Sequence, residues 1–188
     1  MKRISFAAIL LLSTILSDLH AQNWVSITPP RGNFSFSLPA FTTPLDTLSL
    51  LSYNYVLPQD STISFQVHYM DGVPVSGNTD LQTYLGGAGS SDTITQVLDV
   101  YGTLFQQFTS GTIEGFVDTT YQSRIRGEEL TVLHPGLNGD STTQYFAFTR
   151  YYYYNSKFVA FTLMGPQSEI GVLNGYKNQL FSSIALFW

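Results

Sequence analysis

From residue 62 to 70 apolar and polar positions alternate without a break. Ile63, Phe65, Val67 and Tyr69 fall on one face, and Ser64, Gln66 and His68 on the other. A period of two predicts a strand. Residues 33–39 alternate in the same way and stop at Pro39; residues 48–57 form a further strand stopped by Pro58. Pro58-Gln59-Asp60-Ser61 is a turn sequence and joins the last two strands into a hairpin. The period then changes. From Asp92 the apolar positions are Ile94, Val97, Leu98, Tyr101, Leu104, Phe105 and Phe108, one stripe of a helix. Ser91 or Asp92 caps its start and Gly111 follows its end. The stripe is expected to dock on a sheet through Val97, Tyr101, Leu104 and Phe108.

Strand character returns over residues 112–121 and 124–133, with a bulge expected at Gly127. Residues 134–140 read as a loop. Residues 143–154 and 157–164 form a long hairpin about Asn155-Ser156. A two-residue turn pairs Tyr154 with Lys157, Tyr152 with Val159, Arg150 with Phe161 and Phe148 with Leu163. One face then carries Phe146, Phe148, Arg150, Tyr152, Val159, Phe161 and Leu163. The other carries Tyr145, Ala147, Thr149, Tyr151, Tyr153, Phe158, Ala160 and Thr162. Neither face is polar, so both must be covered. A last helix starts at Ser168, with Ile170, Leu173, Tyr176, Leu180, Phe181 and Ile184 inward, and the closing residues 185–188 pack. The order β-β-β-α-β-β-β-β-α predicts an α+β domain: an antiparallel β-sheet packed between helices, an α/β/α sandwich.

The first residues do not belong to that domain. Met1-Lys2-Arg3 is a positive start, residues 4–16 are an apolar run, and Ser17-Asp18-Leu19-His20-Ala21 is a more polar stretch ending in a small residue. This is the layout of a secretory signal peptide over residues 1–21, with cleavage between Ala21 and Gln22. The alternative, an uncleaved anchor, needs a longer apolar run. Residues 22–188 are expected to be one domain with no transmembrane span, secreted or periplasmic. Cysteine is absent. That excludes a disulfide framework, a cysteine-based metal site and a cysteine nucleophile, and it suits an oxidising compartment. Only 8 Lys and Arg oppose 13 Asp and Glu, for a net charge of −5. Nucleic acid is therefore not expected as a partner, because phosphate binding needs a basic face.

Gly32-Asn33-Phe34-Ser35-Phe36-Ser37-Leu38-Pro39 resembles the opening motif of small PsbP-like proteins. The strand pair, amphipathic helix, central meander and closing helix ending in Leu180-Phe181-Ser182-Ser183-Ile184 are also similar to that superfamily. The resemblance spans residues 24–186. It implies the same α/β/α sandwich and a role in binding partners. It implies no catalytic residues, because the superfamily has no common set.

The residues that carry chemistry are scattered. His68 and His134 are the histidines outside the leader, and no metal-ligand spacing joins them. No Gly-x-Ser-x-Gly elbow is present, and Gly87-Ala88-Gly89-Ser90-Ser91 lacks the ending of a phosphate loop. Glu128 and Glu129 point to opposite faces of a strand and read as a solvated edge. Arg150 lies in an apolar run, where it forms a salt bridge, snorkels its stem along apolar surface, or lines a pocket. Tyr151-Tyr152-Tyr153-Tyr154 divides between two faces; it reads as packing or as an aromatic site. Asp46-Thr47, Asp60-Ser61, Asp92-Thr93, Asp118-Thr119 and Asp140-Ser141 repeat a dipeptide that favours turns and caps. The repeat also resembles the O-glycosylation pattern of Bacteroidetes envelope proteins.

These features point to an exported, non-enzymatic binding or interaction module of the bacterial envelope, without catalytic residues, metal or cofactor. Its partner is an envelope protein or an apolar ligand. The candidate ligand-binding residues are Arg150, Tyr152, Tyr153 and Phe158. Two alternatives stay open. A small-molecule or lipid carrier would have a helix–sheet pocket above about 300 Å³. A hydrolase with an unrecognised site would have a cluster of perturbed titratable groups in a cleft.

Overall fold

The computed structural model describes residues 24–47, 50–71, 93–136, 142–155 and 157–188. The proposed leader with its Ala21–Gln22 junction, the glycine patch 86–89, the helix cap at Ser91 or Asp92 and the Asp140-Ser141 dipeptide lie outside the described residues. The described elements run β1 (Val25–Ile27), β2 (Phe34–Leu38), β3 (Leu45–Asp46), β4 (Leu51–Val56), β5 (Ser64–Asp71), α1 (Thr93–Thr109), β6 (Thr112–Tyr121), β7 (Ile125–His134), β8 (Tyr145–Tyr154), β9 (Lys157–Pro166), α2 (Ile170–Ser182) and β10 (Ala185–Leu186). A 3₁₀ turn, Gln167–Glu169, precedes α2.

Seven strands form one antiparallel sheet in the order β3-β4-β5-β9-β8-β7-β6, and β1-β2-β10 form a small second one. The β8–β9 hairpin has the expected register: Tyr154 faces Lys157, Tyr152 faces Val159 and Arg150 faces Phe161. Asn155 takes the left-handed conformation at its tip, φ 47°. Both strands are buried along nearly their whole length, as their double-sided apolar pattern requires.

Each face of the sheet has its own core. On one, Phe65, Val67, Tyr69, Phe148, Tyr152, Val159, Phe161 and Leu163 pack under the small sheet and α2. Phe34 and Phe36 of β2 meet Phe161 edge-on at centroid distances of 6.0 and 5.7 Å. On the other, Leu130, Val132, Ala147, Tyr151, Tyr153, Phe158 and Ala160 pack under Val97 and Leu98 of α1. The layers are therefore helix, sheet, and helix with a small sheet, an α/β/α sandwich.

Three sequence expectations are corrected. The β6–β7 bulge falls between Ile113 and Gly115, not at Gly127. Gly127 stays in register, and β8 approaches it closely: a Cβ there would sit 2.3 Å from Tyr151 O and 2.5 Å from Tyr152 Cδ1. In α2, Ser168 makes no cap; Glu169 precedes the helix without a side-chain cap, and Ile170 is exposed rather than inward. In α1, Leu104 is half-buried while Leu98 is core; the Phe108 side chain lies outside the described residues. The end of α1 is closed by Ser110, φ 50°, with Ser110 N–H donating to Gln107 O and Gly111 N–H to Gln106 O. This is a Schellman closure with a non-glycine residue in the left-handed position. Gly111 is needed one residue later, where a Cβ would lie 2.8 Å from Leu133 O.

The strands that the alternation missed are the short ones. β3 and β10 have two residues each and β1 three, too few for a period to show. β10 extends the packed ending: it pairs with β2, and the Trp188 indole N–H donates to Gly32 O. Turn chemistry accounts for two of the Asp-Ser/Thr dipeptides. Asp60 accepts bonds from the Thr62 N–H at 2.9 Å and from its hydroxyl. Asp46 pairs with Arg31 at 2.9 Å, while Thr47 Oγ1 donates to Leu50 O.

Candidate functional site

The alternation of β5 sends Gln66, His68 and Met70 to the face opposite Phe65, Val67 and Tyr69. On β9 the same face carries Thr162 and Met164. The second half of α1 lies over these positions and brings Tyr101, Leu104, Phe105 and Thr109. Together these nine side chains line a cleft of about 440 Å³. Four residue steps along β5, from Gln66 to Met70, make the floor about 13 Å long. Eight helical steps, from Tyr101 to Thr109, make a roof of about 12 Å. The walls are Met70, Met164, Leu104, Phe105 and the Tyr101 ring. The polar groups are few: Gln66, His68, Thr162 and Thr109. The Thr109 hydroxyl proton is committed to the helix carbonyls of Phe105 and Gln106, at 2.9 and 3.1 Å, which leaves that oxygen only as an acceptor.

Burial sets the charge of this cleft. It lowers the His68 pKa from its ordinary value, so the imidazole is neutral at pH 7. Burial also pushes the Tyr101 hydroxyl up to about 12, against hydrogen bonds with Thr149 and Thr162. The Thr162 hydroxyl in turn donates to Thr149 Oγ1 at 3.0 Å. The Tyr101 ring is held by Tyr151 and Phe158, at centroid distances of 4.6 and 4.7 Å. The cleft is thus an uncharged, mainly apolar slot with neutral hydrogen-bonding groups along its floor, the composition of a small-molecule site.

The sequence candidates lie elsewhere. Arg150 is on the opposite face of the sheet. Its Nε and Nη2 donate to Glu129 Oε2 at 3.0 and 2.5 Å, and its guanidinium lies 4.4 Å from the Phe181 ring centroid. Lys177 Nζ approaches Glu129 Oε1 at 3.7 Å. Of the three readings of Arg150, the salt bridge is the one observed. Tyr152, Tyr153 and Phe158 are buried, Tyr152 in the α2-side core and the other two beneath α1. Phe158 does not line the cleft but backs two residues that do, Tyr101, on which its ring packs, and Met70, opposite it on β5.

Glu128 and Glu129 do diverge, but neither is a solvated edge, because β6 covers β7. Glu128 is only 4% exposed and accepts a hydrogen bond from the Tyr151 hydroxyl. Burial, with Asp99 and Asp118 nearby, raises its pKa despite that bond. His134 turns its Nδ1 to the Gly136 N–H at 3.0 Å and serves its loop. His68, Ala160, Tyr151 and Glu128 stand in one row across four strands. His68 and Glu128 are therefore three strand spacings apart, about 14 Å. That is beyond the reach of a shared proton transfer.

The cleft was partly visible in the sequence: Gln66 and His68 stand out as polar residues on one face of an alternating strand. Met70, Met164, Leu104 and Phe105 carried no such mark, since each reads as ordinary core.

No family model matches the sequence, and no curated protein matches it. Among solved structures the chain is similar to the cyanobacterial PsbP of Synechocystis, with a TM-score of 0.55 over 90% of this chain and 95% of that one, at 8% identity. The fold is PsbP-like. A Pseudomonas aeruginosa protein of unknown function is similar at a TM-score of 0.43 and 9% identity over 83% of this chain. A PsbP-like fold fixes the layers that frame the cleft and assigns no chemistry to it. No described helix is long and apolar enough to cross a membrane.

Proposed function

We propose that the chain is an exported, non-enzymatic binding protein of the bacterial envelope that holds a small, largely apolar molecule between α1 and the sheet. The observation that carries this reading is the cleft of about 440 Å³, within the range of small-molecule sites. Its few polar groups are neutral, so the favoured ligand is uncharged where it is buried, with one hydrogen-bonding group to meet His68, Gln66 or Thr162. A full charge there would lose its hydration without a partner. The leader layout of residues 1–21 supports export. The spacing of His68 from Glu128, and the commitment of Glu129 to Arg150 and Lys177 and of His134 to its loop, support a role without catalysis.

The test is to recover the native exported protein, extract it with organic solvent, and identify small molecules by mass spectrometry. One apolar compound in near-equal amount to the protein is expected. The same compound should be missing from Leu104→Asp, which places a charge on the apolar wall. Equal recovery from both proteins, or none from either, would count against the reading.

A further inference from the structure

The sheet ends differently at its two edges. β3 has two residues, whereas β6 has ten, and among the described residues no strand pairs with the outer side of β6. Long free edges recruit further strands unless they are blunted by charge, proline or cover. β6 has no Pro and no Lys or Arg; the charges it carries are the exposed carboxylates Glu114 and Asp118, its bulge is confined to its start, between Ile113 and Gly115, and α1 packs chiefly on β7 and β8. Its large apolar side chains stay open to solvent: Ile113 is 40%, Phe116 52% and Val117 59% exposed.

The register with β7 separates the two faces of β6. Phe116 lies opposite Leu130, Asp118 opposite Glu128 and Thr120 opposite Arg126, all on the α1 side. Val117, Thr119 and Tyr121 lie on the other side. On the α1 side Ile113 and Phe116 border a recess of about 240 Å³ that also takes in Asp99, Thr103, Gln106, Glu128 and Tyr151. Asp99, which lines this recess, and Asp118, on the same face of β6, are exposed carboxylates beside an open strand edge, while Glu128 is buried and accepts the Tyr151 hydroxyl. Arg126 is the cation that faces Glu128.

We propose that the outer edge of β6 docks an extended segment of a partner protein in which Lys or Arg alternates with apolar residues. The main chain of that segment would continue the sheet, and alternate side chains would give the specificity. Its basic side chains point to the α1 side, with their stems against Ile113 and Phe116 and their charges toward the exposed Asp99 and Asp118. Its apolar side chains cover Val117 and Tyr121. A second copy of this chain fits less well: pairing β6 with itself antiparallel about Phe116 sets Glu114 against Asp118, like charges directly opposite. This site is separate from the α1–sheet cleft and does not depend on it.

Two capped ten-residue peptides test the proposal on the exported protein, one alternating Lys with Val and one alternating Glu with Val. The Lys peptide should bind about tenfold or more tightly than the Glu peptide. Its binding should protect backbone amides of β6 from hydrogen exchange. The double variant Glu114→Lys, Asp118→Lys alters exposed side chains; with its circular dichroism unchanged, it should reverse the preference. Binding of neither peptide, equal binding of both, or binding without protection of β6 overturns the proposal. So does a dimer in sedimentation velocity that Val117→Lys dissociates, because the edge is then an interface between copies.

Discussion

Two leucines six residues apart on α1 separate the core role of the helix from its role as the roof of the cleft. Leu98 is 1% exposed and belongs to the core under α1. Leu104 is half-buried and faces the cleft. Leu98→Ala loses the transfer free energy of the removed carbons and leaves a sealed cavity, about 2–5 kcal/mol in total. At roughly 2–4 °C per kcal/mol for a domain of this size, a loss of ~3 kcal/mol lowers Tm by about 6–12 °C. Leu104→Ala removes the same carbons, but the space joins a cleft that is already open. The cavity contribution vanishes and the transfer contribution is partial, leaving about 1 kcal/mol. Urea unfolding of both single variants, followed by far-ultraviolet circular dichroism, measures the difference directly. Equal costs, or a larger cost at Leu104, would show that the helix is seated differently and that the cleft is not open as described.

Further outcomes follow from the polar interior and from one glycine. Glu129→Gln leaves Arg150 and Lys177 without their shared anion and should cost about 1–3 kcal/mol in urea unfolding; Arg150→Met leaves Glu129 with Lys177 and should cost less. Glu128 has a folded pKa raised above its ordinary value of 4.5, so its contribution is fully present below pH 4.5 and is lost as pH rises through the folded pKa. Glu128→Gln should therefore gain stability relative to the parent between pH 4 and 7, read from Tm at each pH; a constant difference would refute this. His68 has the opposite sign. Its folded pKa is lowered from 6.5, so its contribution is full above pH 6.5 and is lost as pH falls through the folded pKa, a loss that His68→Gln removes. Gly127→Ala drives a methyl group into the Tyr151 carbonyl and the Tyr152 ring and should cost about 1–3 kcal/mol. Gly115→Ala, whose nearest neighbour would be Thr131 Cβ at 3.5 Å, serves as the tolerated control.

Where the sequence was readable, one physical rule decided the answer. The β8–β9 register follows from a two-residue turn and a period of two, so the side chains of residues 145–153 and 158–163 were assigned their faces. The reading of Glu128-Glu129 failed because divergence across a strand is local, whereas exposure depends on neighbours: β6 covers β7, and Tyr151 and Arg150 reach the two carboxylates from β8. Gly127 showed the same gap. A glycine in a strand signals either a bulge or a close approach, and the Tyr151 carbonyl and Tyr152 ring that decide between them lie on the next strand. The apolar stripe of α1 was legible, but not which part of it meets the sheet. Val97 and Leu98 do, whereas Leu104 and Phe105 overhang β5 and β9. The cleft exists through that overhang, so its lining residues carried no signal of their own.

The central claim is that this overhang encloses a ligand site. The most direct measurement is a titration of the exported protein with N-phenyl-1-naphthylamine, an uncharged fluorescent probe, repeated on isotope-labelled protein by NMR. The account predicts saturation near one probe per chain, shifts confined to Gln66, His68, Met70, Tyr101, Phe105, Thr162 and Met164, and loss of both in Leu104→Asp. Binding that does not saturate, shifts centred on Arg150 and Phe181, or an undiminished response in Leu104→Asp would contradict it.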